Sequence, residues 1–380
     1  MMTTALQNIF RINLRVKREE RVLVFNDTPS PAESIAHDDL CRRTRLRDIA
    51  LLTAEVGKAF SRRVLYREFP ATGSHGAEPP AELWESAFGE STVAALRAAR
   101  LLSPLLKKKG SDAGLRKAEE IIARHKRYAV DVVIALSNYS TSHTRFRDLL
   151  TRVCGCRYAS MPLFDSSMLN GSMNTEWKAL AKRTNALARE VNRAESIEVR
   201  TPNGTHITLS KKGRKALADT GILTRKGAFG NLPAGEVFLA PLEGTAEGKL
   251  VLEWAPTREL RSPLLLTVRG GRVQDVAGDE PFGVFLRAKL GEKGENRNIA
   301  ELGIGTNDRA RRPDNILETE KIGGTVHIAL GDNSSFGGTV ETPFHQDFIF
   351  FRPTVVLTLT DGTKRELLRE GTVLFPRDPQ

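Results

Sequence analysis

The feature that most constrains the fold is a change of pattern near the middle of the chain. Before residue 195, apolar runs alternate with stretches of helical spacing, and examples of the runs are residues 21–27 (RVLVFND) and 129–137 (AVDVVIALS). Continuous apolar runs bounded by turn formers are typical of parallel strands that are covered on both faces. Strands that alternate with helices predict a doubly wound α/β domain over residues 1–195.

The second half has shorter and more frequent strands. Residues 199–209 contain an apolar segment, a Pro-Asn-Gly turn and an alternating segment, which predicts a β-hairpin. Further short apolar runs are separated by Gly, Pro and Asp as far as about residue 360, with one helix predicted at 280–290. This pattern predicts a β-rich, barrel-like domain over residues 196–380. The expected fold class is therefore α/β followed by mainly β.

Length and cysteine content narrow the class of protein. A chain of 380 residues is long enough for two domains. No apolar run approaches the roughly 18 residues of a membrane helix, and the first residues lack the apolar segment of a secretory signal. Three cysteines, Cys41, Cys154 and Cys156, do not suggest a disulfide framework. We therefore expect a cytoplasmic protein without a membrane partner.

The positive charge is confined to the first half. Residues 1–195 carry 32 basic and 22 acidic side chains, whereas residues 196–380 carry 25 and 24. No zinc finger or basic-aromatic pattern accompanies the basic segments, so solvated helix faces explain them better than nucleic-acid binding. Contact with another polyanion stays open. The first strand leads into Asn-Asp-Thr-Pro-Ser without the glycines of a dinucleotide loop, so we expect no nucleotide cofactor.

The clearest candidate for chemistry is a pair of histidine segments in the second half. His345 and Asp347 begin a predicted strand, and side chains two residues apart on a strand share one face. His327 lies within the apolar strand GTVHIALG, eighteen residues before His345. Imidazole and carboxylate groups are good ligands for zinc, cobalt, iron and manganese. Each histidine alone could also be an ordinary hydrogen-bonded residue, but together they favour a metal site.

Two glutamates extend this candidate site. Glu301 interrupts the apolar strand IAELGI, and a buried carboxylate has to be ion-paired or metal-bound. Glu236 follows Pro and Gly at the start of another strand, where an edge charge is the simpler interpretation. With Asp347, these carboxylates supply three negative charges, which two divalent ions and a bridging hydroxide would balance. The hypothesis from the residues is a dinuclear hydrolase site.

The order of these segments resembles the M29 metallopeptidases of the aminopeptidase S and T type. The resemblance rests on NLPAGEVFLAP, IAELGIGTN, GTVHIALG and FHQDF, and covers residues 200–355 well but the first half loosely. It implies that two divalent ions (zinc, cobalt or manganese) are bound in a β-rich C-terminal domain, with one glutamate bridging. It also implies an aminopeptidase that acts on peptide or amide substrates as a homodimer. The implied metal ligands are Glu236, Glu301, His327, His345 and Asp347.

A proton carrier near the metals is expected from the same chemistry. Glu301 and Glu320 are the candidate catalytic carboxylates; Glu320 is chosen only because it precedes the His327 strand, and it could equally be a surface charge. The chain departs from the peptidase pattern at Ser334, where the family has a catalytic tyrosine. All four tyrosines lie in the first half of the sequence, so the substrate can differ from that of the peptidases.

The alternative is another M29-like enzyme, 2,5-dihydroxypyridine dioxygenase, in which two histidines and one aspartate hold a single iron. His327, His345 and Asp347 form such a set. The retained Glu236 and Glu301 argue for the dinuclear hydrolase instead, because one iron does not require them. A non-catalytic binding protein stays open as a third possibility.

Overall fold

A computed structural model of the protein describes residues 2–30 and 33–374. The helices are α1 (Met2–Asn8), α2 (His37–Gly57), α3 (Ala81–Phe88), α4 (Glu90–Ala98), α5 (Leu102–Leu106), α6 (Asp112–His125), α7 (Arg145–Arg152), α8 (Trp177–Asn192), α9 (Pro281–Glu292) and α10 (Ile316–Thr319). The strands are β1 (Arg21–Thr28), β2 (Arg63–Pro70), β3 (Val132–Ala135), β4 (Arg157–Ser160), β5 (Ala194–Arg200), β6 (His206–Ser210), β7 (Leu217–Asp219), β8 (Phe229–Asn231), β9 (Glu236–Leu239), β10 (Glu247–Ala255), β11 (Arg258–Arg269), β12 (Arg272–Ala277), β13 (Ile299–Gly305), β14 (Val326–Gly331), β15 (His345–Phe350), β16 (Thr354–Leu359), β17 (Lys364–Arg369) and β18 (Thr372–Val373).

The chain forms two compact units. The first contains Met1–Trp177 and Gly221–Pro233, and the second contains Lys178–Thr220 and Ala234–Gln380. Domain limits at residues 1–195 and 196–380 stay a prediction, because compactness does not show which segments fold independently. No helix within the described ranges has the length and apolar character that crossing a membrane requires.

The first unit is built on a parallel sheet of five strands, in the order β2-β1-β3-β4-β8. The chain runs from β1 to β2 on one side and then to β3 on the other, which is the strand order of a doubly wound fold. One hydrophobic cluster of this unit joins β1 and β3 to α3, α4, α6 and α7, and includes Phe25, Trp84 and Phe146. Their rings pack edge to face at centroid distances of 5.6 to 6.3 Å.

The second unit contains two antiparallel sheets. The larger has eight strands in the order β12-β11-β10-β6-β5-β16-β17-β18, and the smaller has five in the order β15-β14-β13-β9-β7. A single hydrophobic cluster takes residues from both sheets and from α8 and α9. A parallel α/β sheet followed by a β-rich unit confirms the fold class predicted from the sequence.

The smaller sheet separates apolar and polar residues by the two-residue period of its strands. The side chains that enter the hydrophobic cluster alternate with the others: Val237 and Leu239 on β9, Leu302 and Ile304 on β13, Val326, Ile328 and Leu330 on β14, and Phe348 and Phe350 on β15. Successive side chains of a strand point to opposite faces. The residues between them therefore share the other face, which carries the candidate metal ligands.

Candidate metal centre

The register of the smaller sheet places the predicted ligands side by side. His345 on β15 pairs with Gly331, and Asp347 pairs with Ala329 on β14. On the other side of β14, His327 pairs with Gly303 and Ala329 pairs with Glu301 of β13. Glu236 on β9 pairs with Gly305 of β13. Small residues therefore alternate with the functional side chains across four strands, and they leave room for these side chains to approach one another.

The predicted ligands form two groups that share Glu301. In one group, ligand atoms of Glu236, Glu301 and His327 all lie within 4.8 Å of one another. In the other, the same is true of Glu301, His345 and Asp347. The Glu301 carboxylate lies between the two imidazoles, with Oε1 3.3 Å from His327 Nε2 and Oε2 3.5 Å from His345 Nε2. The structure thus brings together all five residues predicted as ligands.

The position of the His327 ring depends on a glycine in the neighbouring strand. A Cβ atom at Gly303 would lie 2.0 Å from both Nε2 and Cε1 of His327. The imidazole is fully buried and occupies the space that any side chain at position 303 would need. Its Nε2 lies 3.3 Å from Glu236 Oε2 as well as from Glu301 Oε1. The missing side chain at position 303 therefore lets the imidazole lie against the sheet and point Nε2 at the carboxylates.

His345 is oriented through its other ring nitrogen. Nδ1 lies 2.7 Å from the Asp332 carbonyl oxygen, which can only accept a hydrogen bond, so Nδ1 carries a proton. Nε2 then points to the carboxylates, 3.6 Å from Asp347 Oδ2. A backbone carbonyl that binds the far nitrogen of an imidazole is a common second contact of histidine metal ligands. The side chain of His345 is one-third exposed, so this group of the site reaches solvent.

Two buried carboxylate oxygens of the cluster are left without hydrogen bonds. Within the described ranges, the buried atoms Glu236 Oε2 and Asp347 Oδ1 have no hydrogen-bond partner. Glu236 Oε2 is 3.3 Å from His327 Nε2, but the pair lies outside hydrogen-bond geometry. Buried carboxylate oxygens without partners are costly, and a divalent cation is the ligand that such oxygens accept. The donor set of carboxylates and imidazoles therefore fits a metal ion.

A buried lysine lies at the Glu236 end of the cluster. Lys321 is fully buried, and its Nζ donates hydrogen bonds of 2.6 Å to Glu236 Oε1 and to Glu320 Oε2. Burial opposes its charge, but Glu236, Glu320 and Asp219 hold the pKa of Lys321 well above its usual value. Glu320, predicted as a candidate catalytic carboxylate, thus lies in the cluster and not on the surface. The single positive charge of Lys321 is shared by two carboxylates, so the cluster keeps an excess of negative charge.

The titration of the two imidazoles reflects an excess of negative charge. Burial disfavours their charged forms, yet Glu301 and Glu236 raise the pKa of His327 to about 9, and Asp347 with Glu301 raises that of His345 to about 10. Without a metal, both rings therefore take up protons at neutral pH. A divalent ion would displace those protons and supply the same compensation.

The pKa values of the Asp347 and Glu320 carboxylates shift in opposite directions. Burial raises the pKa of Asp347, and the adjacent Glu320 raises it further. Burial also opposes the charge of Glu320, but Lys321 and His327 lower its pKa to about 2. Glu320 therefore stays ionised and holds a proton poorly, whereas a bound cation would favour the charged form of Asp347.

Sequence reasoning missed Lys321 and the environment of Ser334. A Glu-Lys pair between strands has the composition of a solvated turn, and nothing in its spacing indicates burial. Ser334 Oγ donates a 3.0 Å hydrogen bond to Asp332 Oδ1 in an exposed turn at Ser334–Phe336. Phe336, two residues later, packs edge to face on the His345 ring at a centroid distance of 6.1 Å. The aromatic neighbour of this site is therefore Phe336.

A protein-family model matches most of the chain. Residues 105–374, more than two-thirds of the chain, match the family model NicX, 2,5-dihydroxypyridine 5,6-dioxygenase. The chain belongs to the NicX family. The matched range contains all five candidate ligands, Glu320 and Lys321. No curated protein matches the sequence.

Two solved structures resemble the NicX-family chain over nearly its whole length. The 2,5-dihydroxypyridine dioxygenase of Pseudomonas putida KT2440 has a TM-score of 0.68 at 19% identity, covering 99% of this chain and 97% of that one. Wild-type AmpT of Thermus thermophilus has a TM-score of 0.56 at 17% identity, covering 98% and 99%. At these identities the likeness concerns the fold, and it confirms the M29-like fold predicted from the sequence.

The prediction of a metallo-aminopeptidase is wrong. The hydrolase and metallopeptidase classes followed from the order of the candidate ligands, and the family match points to the dioxygenases instead. Imidazole and carboxylate ligands serve hydrolases and oxygenases alike, so their order along the chain does not encode the reaction. Ser334, where the peptidases have a tyrosine, was the residue in the sequence that pointed away from peptide cleavage.

Proposed function

We propose that this protein is a metal-dependent dioxygenase that opens the ring of a dihydroxypyridine or a closely related hydroxylated heteroaromatic compound. The observation that carries the proposal is the NicX family match, because its range includes every residue of the metal-ligand cluster. The substrate class follows the name of that family. A flat aromatic substrate replaces the peptide that the ligand order alone suggested.

The ligand set proposed for the metal is His327, His345 and Asp347. Two imidazoles and one carboxylate hold ferrous iron in oxygenases and leave positions open for substrate and dioxygen. When bound, ferrous iron would relay electrons from the aromatic substrate to dioxygen, so that the two can react. Glu301 faces the Nε2 atoms of both imidazoles through separate oxygens, so its carboxylate would lie beside the bound metal. Glu236 is left outside this three-ligand set because a single ferrous iron is held by two imidazoles and one carboxylate.

Two phenylalanines support an aromatic substrate. Phe238 follows Glu236 by two residues on β9 and therefore shares its face of the sheet. Its ring lies edge to face on Phe336 at a centroid distance of 5.8 Å, and Phe336 lies in the same way on His345 at 6.1 Å. Both phenylalanines are half-buried. Such rings favour offset or edge contacts with a flat aromatic ligand.

Proton transfer is assigned to Glu301. A hydroxypyridine that binds a metal through its oxygen has to lose a proton, and a nearby carboxylate can accept it. Glu320 is less suited, because Lys321 and His327 hold its pKa at about 2. Glu301 has no lysine contact in the described part of the chain and faces both imidazoles. Of the two carboxylates considered as catalytic, we therefore retain Glu301.

The test is a comparison of substrates on the metal-loaded protein. The full chain is reconstituted with Fe(II) without oxygen, its iron content is measured, and the loss of 2,5-dihydroxypyridine absorbance is followed after air is admitted. We expect one iron per chain and oxygen-dependent loss of the ring. His345→Ala should abolish turnover, while His206→Ala, at an exposed histidine paired with Glu198 in the larger sheet, should retain it. Two metals per chain, or cleavage of peptide amides without ring loss, would contradict the proposal.

A further inference from the structure

The loop that connects β14 to β15 folds around one buried side chain. This loop, residues 332–344, lies between Gly331 and His345, and these two residues pair in the sheet. Asn333 within it is fully buried. Its backbone N–H donates to Val340 O at 3.1 Å, and its side-chain Oδ1 accepts from Val340 N at 2.9 Å. The Asn333 carbonyl accepts from Gly338 N at 2.9 Å. Asn333 thus holds the two halves of the loop together.

Glu243 anchors this arrangement from outside the loop. Its Oε1 accepts hydrogen bonds from Asn333 Nδ2 at 3.1 Å and from Thr339 N at 2.8 Å. Its Oε2 is paired with Arg214, and both side chains of this ion pair are more than three-quarters buried. A partly buried carboxylate that accepts several hydrogen bonds is held firmly in one orientation. Glu243 therefore fixes Asn333 relative to the rest of the second unit.

The loop has little freedom to rearrange around this anchor. A Cβ atom at Gly338 would lie 1.9 Å from Asn333 Cγ, so the backbone packs directly on the amide. Asp332 Oδ1 accepts from Ser334 Oγ at 3.0 Å and from Thr342 N at 3.3 Å. Asp332 N donates to Phe344 O at 2.8 Å. These contacts set the position of Asp332, the residue next to Asn333.

Asp332 transmits this position to the candidate metal ligand. Its carbonyl oxygen accepts the 2.7 Å hydrogen bond from His345 Nδ1, which fixes the plane of the ring and directs Nε2 at Asp347 and Glu301. A shift of that carbonyl would turn the ring. Metal-ligand distances tolerate only about 0.2 Å of error. A small movement of the loop would therefore weaken a metal bond at His345.

We propose that Glu243, acting through Asn333 and the Asp332 carbonyl, is a positioning residue that fixes His345 for metal binding. This inference rests on the proposed function only in taking His345 as a metal ligand. Among the described residues, Glu243 binds Asn333, Thr339 and Arg214, so its effect on His345 passes through the loop. The same loop carries Phe336 against the His345 ring. Loss of the anchor should thus disturb the metal geometry and the aromatic contact together.

The experiment titrates the full chain with Co(II) under nitrogen and records its visible absorption, which reports ligand geometry. Loss of a residue that orients a ligand typically weakens metal binding 10- to 100-fold. We expect Glu243→Ala to weaken Co(II) binding by about tenfold or more and to change the absorption bands. Glu243→Gln keeps an acceptor for Asn333 but loses the Arg214 ion pair, and it should have a smaller effect. If Glu243→Ala fails to fold, the same measurements are made on Glu243→Gln.

Glu280→Ala is the matched control. Glu280 is buried and paired with Arg258, and it lies before α9 and outside the loop at residues 332–344. Its loss should lower the melting temperature but leave Co(II) affinity and spectrum as in the wild type. Wild-type affinity and spectrum in folded Glu243→Ala or Glu243→Gln would overturn the positioning role alone. Failure of the wild-type chain to bind Co(II) or Fe(II) would overturn the metal assignment of the proposed function as well.

Discussion

Gly303 is the most economical place to test the geometry of the candidate metal centre. In Gly303→Ala, the new Cβ would begin 2.0 Å from Nε2 and Cε1 of His327. Ordinary contact starts at 3.4 Å, so the ring would have to move by about 1.4 Å. Metal-ligand distances tolerate about 0.2 Å. The substitution should therefore remove His327 as a ligand while changing one methyl group and no charge.

The size of the effect follows from that displacement. Inserting a methyl group into a packed site costs about 1–3 kcal/mol of folding free energy. The loss in metal affinity should be larger than the 10- to 100-fold that follows loss of a group which merely orients a ligand. We expect a folded Gly303→Ala protein whose Fe(II) or Co(II) affinity falls by more than about 100-fold. Turnover should fall in parallel.

The assay pairs metal titration with thermal unfolding of the metal-free protein, and Gly291→Ala is its control. Gly291 lies in the last turn of α9, and a Cβ there would meet no atom within 4 Å. Alanine in a helix is favoured over glycine by about 0.5–1 kcal/mol, so this variant should be slightly more stable and bind metal normally. Wild-type metal affinity in Gly303→Ala would refute the view that the buried His327 ring, in the orientation described, is a ligand.

Three further outcomes are expected. Lys321→Met leaves Glu236 and Glu320 buried without their cation, so the free energy of unfolding measured in urea should fall by about 3–5 kcal/mol. Adding Glu236→Gln should restore much of this free energy. A fall below about 1 kcal/mol would contradict burial of the ion pair. Treatment with a chelator should abolish ring opening, and Fe(II) but not Zn(II) should restore it; full recovery with Zn(II) would exclude redox chemistry at the metal. Phe336→Ala should raise KM for the aromatic substrate up to about tenfold with less change in kcat, since an aromatic contact contributes about 0.5–1.5 kcal/mol. The control is Phe285→Ala, which removes an exposed ring on α9. Equal KM values in the two variants would exclude Phe336 from the substrate site.

The candidate ligands could be predicted because strand periodicity carries the relevant information. A polar residue inside an apolar strand, such as His327 or Glu301, has to face something other than the core. Residues two apart, such as His345 and Asp347, necessarily share a face. The structure adds the register, which aligns these strands so that Gly303 and Ala329 fill the intervening positions. Register depends on pairing between distant segments, so local patterns do not reveal it.

Other features had no local signal. Lys321 looks like part of a solvated Glu-Lys turn, and only the tertiary structure shows that its ammonium group is fully buried between two carboxylates. β8 joins the parallel sheet of the first unit although it follows three strands of the second unit along the chain. The Asn333 hydrogen bonds arise from a loop whose composition predicts only turns. Each of these depends on contacts between residues far apart in sequence.

The reaction class could not be derived from the ligands. Two imidazoles with carboxylates serve metal-bound hydroxide in hydrolases and ferrous iron in oxygenases. The charge count does not decide the number of metals either, because the structure adds both Lys321 and Glu320 to the cluster, one charge of each sign. Homodimer formation stays a prediction from the family resemblance.

Labelling with oxygen isotopes tests directly whether the protein is a dioxygenase. The Fe(II)-loaded protein is supplied with 2,5-dihydroxypyridine under ¹⁸O₂ in ordinary water, and the product is analysed by mass spectrometry. We expect both oxygen atoms added to the opened ring to carry ¹⁸O, and we expect His345→Ala to form no product. Product that takes its new oxygen only from water would show metal-activated hydrolysis, and would contradict the assignment of this chain as a dioxygenase.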